Sequence, residues 1–245
     1  MRGKGPPSLL GVGLYSIPRA AQLVGVAAPT LKRWARGYTY RTEERRRYMD
    51  PVLRAALPAL VEAGTITFLD LMELLFVAEF RRHNVSMPVI RAAARKAREL
   101  FGVSHPFAVK RLCTDGRSIL ADLEPRDIEG AIGRDRLLHE IHTGQNVIRD
   151  IVEPFIVRSV ELVGDEIGRY WPDGFERQIV LDPDRRFGDP VHAGTGIPTS
   201  ALYDCAKAYQ SLADVARWYD IHEDVVTVSV GFEESLRHNH RLAAA

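Results

Sequence analysis

Near the start of the chain, apolar residues recur at helical spacing: Ile17, Ala20, Ala21 and Val24 lie three or four apart. Ser16 precedes them as an N-cap, Pro18 fits a first turn, and Gly25 ends the run because it takes up left-handed backbone without strain. The pattern restarts at Ala28 and predicts a second short helix to about Arg36, ended by Gly37. Residues 38–50 lose the period and become polar and basic, which reads as a wing or exposed loop. Residues 52–63 are apolar and close at Gly64. Thr67 and Asp70 then form a capping box before a helix over about Phe68–Arg82, and Ser86 caps another over about Met87–Phe101, stopped at Gly102.

The pattern changes after that. Phe107–Cys113 and Arg117–Leu123 flank Thr114-Asp115-Gly116 and predict a β-hairpin. Residues 127–157 read as short helices broken at Gly144 and Pro154. Ser159–Val163 and Ile167–Trp171 flank Gly164-Asp165-Glu166 as a second hairpin, and Ile179–Leu181 adds a strand. From Pro198 the helical period returns, with helices at about Thr199–Tyr209, Leu212–Tyr219 and Glu223–Arg237, and a capping box at Ser211 and Asp214. Loops this short force the three to pack as one tri-helical unit. Ala243–Ala245 reads as a frayed end.

The expected fold is therefore mainly α with a small β-sheet, an α+β chain. It divides into a winged helix-turn-helix at 1–50, a helical continuation at 51–104, a small sheet with short helices at 105–181, and a three-helix, homeodomain-like unit at 182–245. Leu69, Leu71, Met72, Leu75 and Phe76 exceed a single narrow stripe, which points to a homodimer interface or a buried core helix.

Charge sharpens the picture. Residues 1–50 carry ten Lys/Arg and three Asp/Glu, a net +7; the rest of the chain carries 23 and 29, a net −6. A basic head on an acidic body is the footprint of a nucleic-acid-binding end. On the second helix, Leu31, Trp34 and Ala35 close a core against the first. Ala28, Thr30, Lys32, Arg33 and Arg36 then face outward as a recognition surface suited to the major groove. Tyr40, Arg41, Arg45, Arg46 and Arg47 would follow the adjacent phosphates. Residues 182–245 carry ten Asp/Glu and six Lys/Arg, a net −4 that suits protein contacts better than a DNA backbone.

The stretch from Tyr15 to Trp34 resembles the heads of the MerR and excisionase regulators, with Ala27 in place of their usual hydrophilic cap. Leu181 to Thr199 resembles the small domain of unknown function that recurs in VapB-type antitoxins. Pro183, Gly188, Pro190, Gly194, Thr195, Ile197 and Pro198 stand in that pattern, Gly196 takes the place of its Arg, and Ser211 to Ile221 is similar to its second helix and turn. These resemblances imply an antitoxin that binds its own operator as a repressor and neutralises a PIN-domain, VapC-type ribonuclease. Such a toxin has a carboxylate pocket around Mg²⁺. A mobile basic tail over Arg237–Arg241, or Arg217 nearby, would plug it. The alternative is a stand-alone MerR-like regulator whose middle region senses a ligand.

Little points to an enzyme. His139-Glu-Ile-His142 lacks the spacing of a zinc protease, and His238 and His240 sit at a chain end. Asp182, Asp184 and Asp189 lack calcium-loop spacing, and Cys113 and Cys205 read as packing residues. No catalytic residue, metal or cofactor is expected. No apolar run is long enough to cross a membrane, no signal-peptide core is visible, and two distant cysteines suit a reducing cytoplasm.

Overall fold

A computed structural model describes residues 11–41, 45–128, 134–172 and 176–244. Residues 1–10 and the tip of the predicted wing lie outside the described residues. The elements run β1 (Leu14–Ser16), α1 (Ile17–Val24), α2 (Ala28–Arg36), β2 (Tyr38–Arg41), β3 (Arg46–Met49), α3 (Pro58–Glu62), β4 (Thr65–Thr67), α4 (Phe68–Arg82) and α5 (Met87–Phe101). They continue with α6 (Arg111–Ala121), α7 (Arg134–Val147), α8 (Glu153–Ser159), β5 (Val160–Val163), β6 (Glu166–Tyr170), β7 (Ile179–Val180), β8 (Val191–His192), α9 (Thr199–Tyr209), α10 (Leu212–Tyr219) and α11 (Glu223–Ala244). The chain is mainly helical, and among the described residues the sheets are small antiparallel pairs: β1–β4, β2–β3, β5–β6 and β7–β8. The α+β expectation holds.

Local chemistry sets the helix starts. The Ser16 hydroxyl accepts from the Arg19 amide, and Thr67 and Asp70 satisfy each other's backbone amides at the head of α4. Ser211 accepts from the Asp214 amide at α10. β1 pairs with β4, so the chain entering α1 lies beside the chain entering α4. α4 then runs through the middle of the main core, with Leu71, Leu74, Phe76, Val77 and Ala78 almost wholly buried. Its apolar surplus is covered within one chain and gives no argument for a dimer.

The expected hairpin at 107–123 is absent. Pro106–Ala108 forms a 3₁₀ turn and Arg111–Ala121 forms α6. Leu112, Ile119 and Leu120 share one face of that helix and are buried. Gly116, read as a turn residue, serves packing: a Cβ there would meet Leu112 and Ile148 side-chain carbons at 2.9 and 3.0 Å. Gly144 does not break α7, because its missing Cβ leaves room for Leu120 at 3.0 Å. Cys113 falls in α6 rather than in a strand. At Pro154 the rod does not stop. A five-residue π-turn, Ile148–Val152, leads into α8 and places the proline in its first turn, where its missing N–H costs little.

The second expected hairpin is present as β5–β6, with a bulge at Glu161/Leu162. The strand expected at 179–181 pairs with β8 and is joined to β6 by the Tyr170–Leu181 bridge. One apolar core runs from Tyr15 to Leu181. A second, made of Leu202, Ala206, Val215, Ala216 and Val226, holds α9, α10 and α11 together. α11 does not fray at the alanines but stays helical to Ala244. Among the described residues no helix is long and apolar enough to cross a membrane.

Candidate nucleic-acid interface and its support

α1 and α2 close a helix-turn-helix. Gly25, at φ +71°, caps α1 and returns its N–H to Ala21, and the extended backbone of Ala27 opens α2 without a side-chain cap. Leu31, Trp34 and Ala35 are buried, while Lys32 and Arg33 are exposed and Thr30 is half-buried. β2 and β3 form the wing in the register Tyr38–Met49, Tyr40–Arg47 and Arg41–Arg46. Arg41, Arg45, Arg46 and Arg47 are exposed on it, and the Tyr38 and Tyr40 rings lie 6.0 Å apart. The Arg33 guanidinium sits 5.7 Å from the Tyr38 ring centroid, which draws the recognition helix and the root of the wing into one surface.

Two further contacts fix the wing. The Tyr48 hydroxyl donates to the Arg36 carbonyl at 2.7 Å, and the Val52 amide donates to the Trp34 carbonyl at 3.0 Å. Gly37, at φ +73°, is required here because a Cβ would run into the Tyr48 hydroxyl and the Met49 carbonyl. From α5, Arg91 and Arg98 donate to the carbonyls of Asp50 and Val52 just past the wing.

The structure gives Arg36 a different place from its sequence neighbours. Its guanidinium turns inward and donates to the Val61 carbonyl at 2.8 and 2.5 Å and to the Glu62 carbonyl at 2.7 Å. It therefore satisfies the open C-terminal end of α3. Arg36→Ala is expected to lower stability by about 1–2 kcal/mol through those lost bonds to a charged donor. Urea melts compared with Lys32→Ala, which touches no such carbonyl, check this, and equal midpoints for the two variants would refute it.

The C-terminal unit packs directly on the head. Glu233 of α11 has a fully buried side chain, and both its oxygens bind Arg19 of α1, at 2.9 and 2.5 Å. The same carboxylate accepts from the Thr199 hydroxyl at 2.6 Å and from Arg237 at 2.8 Å. Burial, the largest single influence, would raise the Glu233 pKa, but Arg19, Thr199 and Arg237 together outweigh it and hold the carboxyl below its ordinary value. Burial likewise works to lower the Arg19 pKa, and Glu233 reverses the direction. Asp189 lies 3.8 Å from Arg19, and burial pushes its carboxyl up. Nearby, the buried Tyr15 hydroxyl donates to the Gly188 carbonyl at 2.6 Å. Gly188, at φ +83°, leaves no space for a Cβ against that hydroxyl. Phe232 and Leu236 of α11, with Ile179, pack against Leu23 of α1, and the His240 ring lies 3.0 Å from the Val26 carbonyl.

The tail expected to be mobile is a continuation of α11. Arg237 lies inside α11, bonded to Glu233 and with its guanidinium 3.8 Å over the Tyr203 ring. Arg241 is exposed on the last turns of the same helix. Arg217 has an 80% exposed side chain and pairs with Asp214 one turn earlier. Arg237 and Arg217 each already hold a carboxylate of this chain. The unit instead exposes a ring pair that sequence reading passed over: Tyr209 and Trp218, 56% and 75% exposed and stacked at 6.4 Å. Arg19 and Glu233 were also missed. Ordinary charged residues at those positions carry no local signal of their partnership. Among the described residues, no three His, Cys, Asp or Glu come together as a metal-holding group.

A two-helix turn with a basic outer face and a basic two-stranded wing defines a winged helix-turn-helix of DNA-binding type. In agreement, residues 13–94 match a family model described as "Putative DNA-binding HTH domain", and residues 179–228 match one described as "Protein of unknown function (DUF433)". The chain is 27% identical over 219 residues to "Putative antitoxin VapB45" of Mycobacterium tuberculosis (strain ATCC 25618 / H37Rv), covering 87% of this chain and 90% of that one. It is 25% identical over 243 residues to "Uncharacterized protein Rv2308" of the same organism, covering 97% of each. The crystal structure of Rv2018 from Mycobacterium tuberculosis shares the fold, with a TM-score of 0.63 and 22% identity over 90% of this chain and 98% of that one. The chain thus resembles a named antitoxin along most of its length and carries a DNA-binding type of head.

Proposed function

We propose that this chain is the VapB-type antitoxin of a toxin–antitoxin pair, that it represses its own operon through the winged head, and that it neutralises a PIN-domain ribonuclease through its C-terminal unit. The observation that carries the DNA half is the joining of an exposed Lys32 and Arg33 on α2 to the exposed arginines of the wing. In this reading Thr30, Lys32 and Arg33 face base edges, and Tyr40, Arg41, Arg45 and Arg46 follow phosphates. The likeness to an antitoxin over 87% of the chain supports the toxin half. The toxin docks on the outer face of α9 and α10, where Tyr209, Trp218 and Arg217 supply the aromatic and guanidinium groups that anchor protein interfaces. A homodimer on a two-fold operator follows from the habit of helix-turn-helix proteins, with no support from α4.

Arg33→Ala is expected to weaken binding to a duplex from the chain's own promoter roughly tenfold, about 1.4 kcal/mol, at fixed salt. Fluorescence anisotropy at several salt concentrations reads this. Affinity that neither falls with salt nor changes in the variant would remove the DNA-binding role. An RNA-cleavage assay with the PIN-domain ribonuclease of the same operon tests the partner half, and cleavage that continues in the presence of excess wild-type chain overturns it. Light scattering of the DNA-bound chain gives the stoichiometry.

A further inference from the structure

The C-terminal helix does not close completely over the head. Between α1, α4, α8 and the last turns of α11 lies an open cleft of about 780 Å³, within the range of small-molecule sites. Its floor is an aromatic ladder. Phe76 meets Phe155 edge-on at 5.4 Å between ring centroids, and Phe155 meets Tyr170 at 5.5 Å. Leu23 of α1, Leu75 of α4 and Leu236 of α11 form the walls, and Leu242 stands 66% exposed beside the mouth.

We propose that this cleft binds a small, uncharged, ring-bearing apolar molecule. Phe155 and Tyr170, both half-buried, leave ring surface against which a further ring stacks or meets edge-on, while Phe76 is almost wholly buried and backs Phe155. The charge at the rim is balanced, which sets the class. The charged residues that line the cleft are Glu79 and Asp150 against Arg82 and Arg158, a net charge of zero, and Glu79 pairs with Arg82 across one turn of α4. An ionic ligand gains no net attraction there and must give up its hydration. Gln22 and Asn239 also line the cleft and offer neutral hydrogen bonds to a polar end of the molecule. The walls come from three parts of the chain: the head, the middle and the C-terminal unit. A bound molecule therefore spans the junction that Arg19 and Glu233 hold. The inference stands whether or not the chain binds DNA or a toxin.

The test uses N-phenyl-1-naphthylamine, a neutral two-ring fluorophore, titrated into the full-length protein. Saturable enhancement at one site per chain is expected, with a micromolar Kd. Leu23→Trp, which fills one wall, should weaken it at least tenfold. Leu242→Glu changes an exposed residue at the mouth, is expected to keep the fold by circular dichroism, and should weaken it about tenfold; it decides the matter if Leu23→Trp does not fold. Trp218→Ala, in the exposed ring pair on α10, should leave binding unchanged. Four results overturn the proposal. The first is no saturable binding, and the second is binding that survives both cleft variants. The third is binding lost in Trp218→Ala. The fourth is a dimer in sedimentation velocity that excludes the probe and dissociates in Leu242→Glu, which would make the cleft an interface between copies. Tighter binding of the anionic analogue anilinonaphthalene sulfonate would overturn the uncharged class.

Discussion

Glu233→Ala is expected to be among the most damaging single changes in the chain, costing about 3–5 kcal/mol of stability. The wild-type carboxylate gathers Arg19, Thr199 and Arg237 in a place with no solvent access to its own side chain. Removing it leaves the Arg19 guanidinium, 18% exposed, without the partner that offsets its desolvation, and leaves the buried Thr199 hydroxyl without its carboxylate acceptor. The neighbouring Glu234 is the control. It pairs with Lys207 at 2.9 Å, but both side chains are more than half exposed, so Glu234→Ala should cost at most about 1 kcal/mol. Urea unfolding of the two variants measures the difference. The shape of the transition also matters, because Glu233 joins the C-terminal unit to the head, and its loss should broaden or split a single transition. The double change Arg19→Met with Glu233→Met should recover most of the loss, since it removes both charges and keeps apolar volume. A Glu233→Ala midpoint no lower than that of Glu234→Ala would refute the account.

Glu73 should add up to roughly 3 kcal/mol of stability as pH falls from about 8 to about 5. Glu73 sits in the buried centre of α4 with no exposed surface. One oxygen accepts from the Phe107 amide at 2.7 Å; the other has no hydrogen-bond partner and faces Arg98 at 3.9 Å. Burial raises its pKa from 4.5 to about 7, with His105, Arg98 and the backbone amides of Phe107 and Ala108 only partly opposing it. The folded value lies above the unfolded one, so the native state holds this proton more tightly. Its stabilising effect is complete below about pH 4.5 and is lost as pH rises through 7. The carboxyls of Asp70, Glu140 and Glu233 act the other way, because their pKa values are lowered, and their contribution disappears only under stronger acid. Asp70 bonds His105 at 2.7 Å close by. Glu73→Gln should therefore be more stable than wild type at pH 8, about equal at pH 5.5, and flatter between them. Chemical denaturation at the two pH values reads this directly. A variant with the wild-type slope would mean that Glu73 does not carry the effect.

Some of the molecule was legible before folding because its causes are local. A cap and the amide it serves lie within three residues, as at Ser16, Thr67 and Ser211, so the starts of α1, α4 and α10 could be read directly. The period of Ile17, Ala20, Ala21 and Val24 fixes which face of α1 is inward, and the same reading identifies Leu31, Trp34 and Ala35 on α2. Short loops fixed the tri-helical unit, and the +7 head against the −6 body came from counting. Glycine was the ambiguous signal. Gly25 and Gly37 have positive φ and end helices, whereas Gly116 and Gly144 are helical and exist to let leucine side chains close in. Sequence shows only the residue; whether its missing side chain frees the backbone or admits a neighbour depends on what packs there.

The sequence by itself determined the helix-turn-helix, the basic character of its outer face and wing, and the three-helix end, since each follows from spacings of a few residues or from summed charge. Only the tertiary structure decided what the individual charges do. Arg36 faces the end of α3, Arg237 folds back onto Glu233 and Tyr203, and Arg33 lies against the root of the wing. The joints that make head and C-terminal unit one object link residues 214 apart at Arg19–Glu233 and 173 apart at Tyr15–Gly188. No periodicity reaches that far. An arginine on a predicted outer face looks the same in sequence whether it ends in water, on DNA or against a carbonyl. The choice is made by whichever partner packing brings within about 3 Å, and by whether burial there makes an unpaired charge too costly to leave.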